Sequence, residues 1–135
     1  MILLHVDLQG KKYTLTGGAF MTVTQLMDII DAQNLTPDLS LSKEVSCGYV
    51  CDLLSWVMAH GMPGTAWVTV QTHLNVIAVA VLMEFACIIL PEGIDIDESS
   101  LQKAQIEKIP VLKSRKTSYQ LCGEMAAAGI PASFR

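Results

Sequence analysis

Gln71, Thr72 and His73, with Asn75 two residues on, stand between two apolar runs. At the carboxyl end of a strand, beside the free N–H groups of a helix's first turn, these side chains suit an anion or a nucleotide. The plainer reading makes Thr72 the helix cap and gives the others to the turn or a subunit contact. Gly48, Tyr49 and Asp52 form a second set one strand earlier. Gly48 permits close backbone approach, and Tyr49 offers a ring on which a base can stack. A tight backbone contact with a packed ring is the simpler account of them. Lys113, Ser114 and Arg115 bring positive charge and a hydroxyl to the end of the last strand, although such a run is also an ordinary surface loop. The ligand-binding set expected from sequence is therefore Gly48, Tyr49, Asp52, Gln71, Thr72, His73, Asn75 and Ser114.

Cys47 and Cys51 are four apart, so on a strand they share a face but sit too far apart for one tetrahedral metal. No further ligands join them at metal-site spacing, and no metal or cofactor is expected. A nucleophilic thiol with His73 as base needs an orienting carboxylate and an exposed thiol of lowered pKa. Buried thiols in an apolar setting are the simpler account, and no catalytic residue is assigned.

The elements that must position these residues follow from periodicity. A helix is expected over 22–33, capped by Thr22, with Val23, Leu26, Met27 and Ile30 inward. A linker with Pro37 follows over 34–42. Strand 45–51 leads into helix 52–60, opened by Asp52, with Leu53, Leu54, Val57 and Met58 on its inner face. Residues 61–64 are a loop, 66–70 a strand and 74–85 a helix apolar nearly all round. Strand 86–90 is continuously apolar, as in a parallel sheet covered on both faces. Helix 98–108, capped by Ser99 or Asp97, strand 109–112 and helix 117–128 complete the chain, with Gly129 as the stop. Strict alternation with helix-length connections implies a three-layer α/β domain: a mostly parallel sheet of about four to five strands with flanking helices.

Residues 1–20 differ from the rest. They read as a β-hairpin around Gln9, Gly10 and Lys11, or as a translated leader before a start at Met21, since codons for Thr16, Gly17 and Gly18 accommodate a ribosome-binding sequence. The expected division is an N-terminal extension over 1–20 and one domain over 21–135. The 135 residues suit a single core. Only 16% are charged against 51% hydrophobic, which excludes disorder and favours burial of some surface in a homodimer. A net charge of -4 with scattered Lys and Arg argues against nucleic acid, although 22–33 has the look of a first helix-turn-helix helix. The apolar run 74–90 is short for a membrane span and carries Glu84, and the N-terminus lacks a signal-peptide pattern, so a cytoplasmic protein with reduced thiols is expected. Trp56 falls off the inward stripe of its helix beside Met58 and Met62, an interface mark or a second packing face.

Three blocks, EVSCGYVCDLLSWVMAHG, AWVTVQTHLNVIAVAVLMEFACIILPEG and IPVLKSRKTSYQLCGEM, together resemble the DRTGG domain over residues 22–130, especially its small stand-alone bacterial and clostridial members. The resemblance implies an α/β regulatory module, found beside CBS domains in some pyrophosphatases and in phosphotransacetylase-like proteins. It also implies a relation to the non-catalytic N-terminal domain of HPr kinase/phosphorylase, and dimerisation. Stand-alone members are encoded near hydrogenase or NADH-dehydrogenase-like subunits. The chain departs from the pattern in having no contiguous Asp-Arg-Thr-Gly-Gly run, and Cys47 precedes Gly48 where relatives carry two glycines. No G-x-x-x-x-G-K-[ST] loop is present to hold ATP phosphates, so kinase activity is not expected. The functional expectation is a non-enzymatic regulatory module sensing a nucleotide-like metabolite as a homodimer. The alternatives are an adaptor for a redox assembly without a small ligand and, further off, a thiol enzyme or hydrolase.

Overall fold

The computed structural model describes residues 2–6, 12–16 and 21–133. Strands β1 (Ile2–Val6) and β2 (Lys12–Thr16) pair antiparallel. The expected turn at Gln9, Gly10 and Lys11, and Gly17 and Gly18, lie outside the described residues. Strand β3 (Met21–Thr22) runs directly into helix α1 (Val23–Ile30). Thr22 caps this helix through a reciprocal box with Gln25, and Val23, Leu26, Ile29 and Ile30 are buried. The helix stops earlier than its periodicity suggests because Asp31 turns left-handed at φ 51°.

The end of the expected helix and the start of the expected linker form β4 (Gln33–Asn34), and the linker holds the fully buried Thr36, whose hydroxyl accepts from Val111 N at 3.1 Å. The strand expected over 45–51 is divided. β5 (Glu44–Val45) pairs with β3, and β6 (Cys47–Val50) enters the main sheet. Helix α2 (Leu54–His60), β7 (Thr65–Val68), α3 (Leu74–Leu82), β8 (Cys87–Leu90), α4 (Glu98–Ile106), β9 (Val111–Lys113) and α5 (Ser118–Ala127) follow in the expected alternation. α3 ends three residues before the helix expected from sequence, because Glu84 adopts φ 56° and returns Phe85 to the core.

The main sheet has the order β4-β9-β8-β7-β6, with β4 antiparallel and the other four parallel. The chain therefore steps in one direction from β6 to β9. Right-handed crossovers in one direction put α2, α3 and α4 on the same face. That face is packed by Trp67, Ile88, Leu90 and Val111 with Val57, Val76, Ile77 and Ala104. The opposite face takes Ala66, Val68, Cys87, Ile89 and Leu112 with α1 and α5. The three-layer α/β expectation holds, and the antiparallel edge strand is new.

α5 crosses under the whole sheet, and the chain beyond it bridges Ala132 to Gly48. A Cβ on Gly48 would stand 2.9 Å from Met125 Cε and 3.6 Å from Ile130 Cγ2. The glycine is thus explained by the approach of the α5 end. Gly48→Ala should be tolerated, because the atom it meets is the tip of the flexible Met125 side chain. Gly48→Val should cost about 1–3 kcal/mol by overpacking, read as a lower denaturation midpoint. On α2 only Val57 is fully buried; Leu53 and Met58, expected inward, are exposed. Among the described residues no helix is long and apolar enough to cross a membrane.

Candidate functional site

The carboxyl ends of the four parallel strands carry every residue of the expected ligand-binding set except Gly48 and Tyr49, which lie within β6. Asp52 does not open α2. Leu53 occupies the N-cap position without a side-chain bond, and the Asp52 carboxylate reaches across to the next turn. Its Oδ1 accepts from Thr69 Oγ1 and from Val70 N, both at 2.9 Å. Gln71 Nε2 donates to Asp52 O at 3.0 Å, and Gln71 N donates to Thr69 Oγ1 at 3.2 Å. These bonds clasp the β6–α2 and β7–α3 turns together. His73, rather than Thr72, caps α3, its Nδ1 accepting from Asn75 N at 3.3 Å. His73 also stands near Asp97, the cap of α4, whose carboxyl is held below its ordinary value first by Ser100 and, more weakly, by His73.

Tyr49 packs against the α2–α4 side of the core. Partial burial raises its phenol above the ordinary value, the neighbouring Cys51 adds to this, and Trp56 opposes it. Trp56 stacks on His60 at 4.1 Å between ring centroids and is 54% exposed. Cys47 Sγ lies 3.2 Å from Thr65 Oγ1, and Cys51 Sγ points to Leu53 O. Burial pushes the Cys87 thiol up to about 12, against the pull of Lys43, and Cys122 is also raised by burial. Neither of these two is poised as a thiolate nucleophile. Among the described residues no group of three or more His, Cys, Asp or Glu is placed to hold a metal ion.

A crevice opens elsewhere on the same edge. β8 leads to α4 on one face of the sheet, and β9 leads to α5 on the other. Where neighbouring connections leave to opposite faces, the turns diverge and leave a hollow between them, the position at which open α/β sheets hold ligands. This hollow encloses about 650 Å³. Its walls are Glu92 and Gly93 after β8, residues 113–116 after β9, and Asp31 and Gln33 from the α1 end.

The backbone of this site is stitched. Gly93 N donates to Ser114 O at 2.7 Å, Glu92 N to Lys116 O at 2.9 Å, and Ser114 N to Leu90 O at 2.9 Å. Glu92 and Gly93 both take positive φ, 58° and 67°, and so fold the turn back over β9. Ser114 is buried, and its Oγ accepts from Lys116 N at 3.1 Å. Lys113 pairs with Asp95 at 2.5 Å and holds that carboxyl below its ordinary value. Lys116 pairs with the nearly buried Glu124 at 2.7 Å. Arg115 is exposed and makes no ion pair among the described residues. The first turn of α5, capped by Thr117 in a box with Gln120, adds the positive end of a helix dipole.

Of the eight residues expected from sequence, the structure joins Asp52 to Gln71 and His73 to Asn75, and places Ser114 apart from them in the crevice. Lys113 and Arg115 were visible as a basic run. Asp31, Gln33, Glu92, Gly93 and Lys116 were missed, since only the change of face between α4 and α5 brings them to one place.

The sequence matches no family profile and no curated protein. A structural comparison matches a crystal structure of the CBS and DRTGG domains of the regulatory region of a Clostridium perfringens pyrophosphatase, complexed with the activator diadenosine tetraphosphate. The TM-score is 0.63 at 11% identity, over 78% of this chain and 46% of that one, so the chain spans less than half of its neighbour. The likeness is one of fold: the chain folds as a DRTGG-like α/β domain.

Proposed function

We propose that this protein is a non-enzymatic regulatory module that binds a nucleotide-like anionic metabolite in the crevice between the β8–α4 and β9–α5 turns, and that it works as a homodimer. The observation that carries the reading is the exposed Arg115 over a hollow walled by Gly93 and the basic β9–α5 turn. Arg115 provides a planar fork for a phosphate, and the helix end behind it adds favourable potential. Gly93 leaves space beside the Arg115 stem, its added Cβ meeting only Arg115 Cγ at 3.9 Å. Lys113 and Lys116 are held by Asp95 and Glu124, and Asp31 and Glu92 also line the hollow, so the attraction for an anion falls to Arg115 and the α5 helix end. The neighbouring pyrophosphatase region binds an adenine nucleotide activator, which agrees in ligand class.

In this reading Ser114 shapes the crevice floor. Asp52, Gln71, His73 and Asn75 hold the adjoining turns, with Gly48 and Tyr49 supporting β6 and Thr72 bordering the same rim. A second hollow of about 400 Å³ at the opposite end of the strands suits a phosphate poorly. Glu44, Glu84 and Glu107 line it, and its Lys43 Nζ is engaged by Lys108 O at 3.0 Å.

A thermal-shift series with adenine nucleotides tests the proposal, because a ligand that binds only the folded state raises its melting temperature by mass action. The expected result is a concentration-dependent rise, with Arg115→Glu weakening binding by about tenfold to a hundredfold while leaving the unliganded melting temperature nearly unchanged. No stabilisation by any nucleotide would leave the adaptor reading, without a small ligand, as the better account.

A further inference from the structure

α3 is apolar on the side where a surface helix is normally polar. Its inner stripe, Val76, Ile77, Val79 and Ala80, is buried on the sheet. Its outer stripe is Leu74, Ala78, Val81 and Leu82, all exposed, with Leu82 at 64%. The middle helix of three thus has an unpartnered apolar ridge, and residues 53–83 contain no Asp, Glu, Lys or Arg to solvate it.

We infer that this ridge is the two-fold interface of the homodimer, with α3 packed antiparallel on the α3 of a second copy. The inference rests on the dimer named above and adds its surface. Three features select a second copy as the occupant. Leu74, Ala78 and Leu82 recur every four residues with the small residue in the centre, so the ridge is symmetrical about Ala78. A two-fold axis there sets each Leu74 against the other's Leu82 and lets the helices approach at Ala78. The ridge lacks charge of either sign, so it offers nothing complementary to a charged partner and is matched by its own copy. The extent also fits. With Met58 and Ile106 exposed on the helices packed to either side, the apolar patch is of the size, roughly 300–600 Å², that marks an interaction site.

Sedimentation of the full chain tests the surface. Wild type is expected as a dimer, and Leu82→Glu as a monomer at the same concentration or a dimer at least tenfold weaker. Circular dichroism should be retained, because Leu82 is exposed. Ala78→Cys supplies a second measurement that does not depend on breaking anything. Mild oxidation with copper(II) phenanthroline in air should join the two introduced thiols as a disulfide, two electrons passing to the oxidant and two protons to solvent, faster than any cross-link of wild type. A wild-type dimer that Leu82→Glu leaves intact and Trp56→Glu splits would overturn the α3 surface while keeping the dimer. A wild-type monomer would overturn both. Ala78→Cys cross-linking no faster than wild type would overturn the axis.

Discussion

Trp67→Ala should lose about 3–5 kcal/mol of stability, the range for truncating a fully buried large aromatic. Trp67 has no exposed surface and sits at the centre of the strand that pairs on both sides. Its ring meets Phe85 edge-on, centroids 5.5 Å apart, and its Nε1 donates to Cys51 O at 2.9 Å. The substitution opens a cavity, removes the aromatic contact and leaves a carbonyl of the β6–α2 turn without its donor. Trp67→Phe keeps most of the volume and loses mainly the hydrogen bond, so it should cost about 1–3 kcal/mol. Urea denaturation of the three proteins separates these terms. A loss below 1 kcal/mol for Trp67→Ala would mean that the α2–α4 face is not packed as described.

Gly64→Ala is the second large effect, about 2–4 kcal/mol, and its origin is backbone rather than core. Gly64 holds φ 79°, where an L side chain costs about 1–2 kcal/mol. An added Cβ would stand 2.3 Å from Ser46 Oγ, which itself donates to Pro63 O at 2.7 Å. The residue cannot move away, because its N donates to Glu84 O and its O accepts from Ser46 N, both at 2.9 Å. Adding Ser46→Ala should recover the steric part and leave the φ strain. The coupling of the double-mutant cycle then reports the clash directly. If the two losses simply add, the loop does not hold this conformation.

Both positions illustrate what the sequence conveyed. The alternation of elements from residue 45 onward was legible because apolar runs of four or five residues and helical stripes are set by burial, the strongest local signal. Boundaries were less legible where a polar group served tertiary structure. Asp52 has the type and place of a helix-opening acid, and the structure uses it to clasp Thr69, Val70 and Gln71 instead. Thr72 looked like the cap, while His73 holds it. Leu53 and Met58 fit an inward stripe on a seven-residue helix that buries only Val57. Position on the sheet was the least legible. A parallel α/β pattern leaves strand order open, so nothing in 113–116 alone distinguishes a surface loop from one wall of a crevice. The opposite wall, Glu92 and Gly93, is supplied by a turn some twenty residues earlier, and only the placement of α4 and α5 on different faces parts them.

The same geometry yields the most direct test. Amide resonances of the protein, followed during titration with diadenosine tetraphosphate and with ATP, report where a nucleotide sits. Saturable shifts at Gly93, Ser114, Arg115 and Lys116, abolished by Arg115→Glu, are the expected result. Shifts confined to residues 71–75, or no saturable shift with either nucleotide, would contradict the assignment of the crevice.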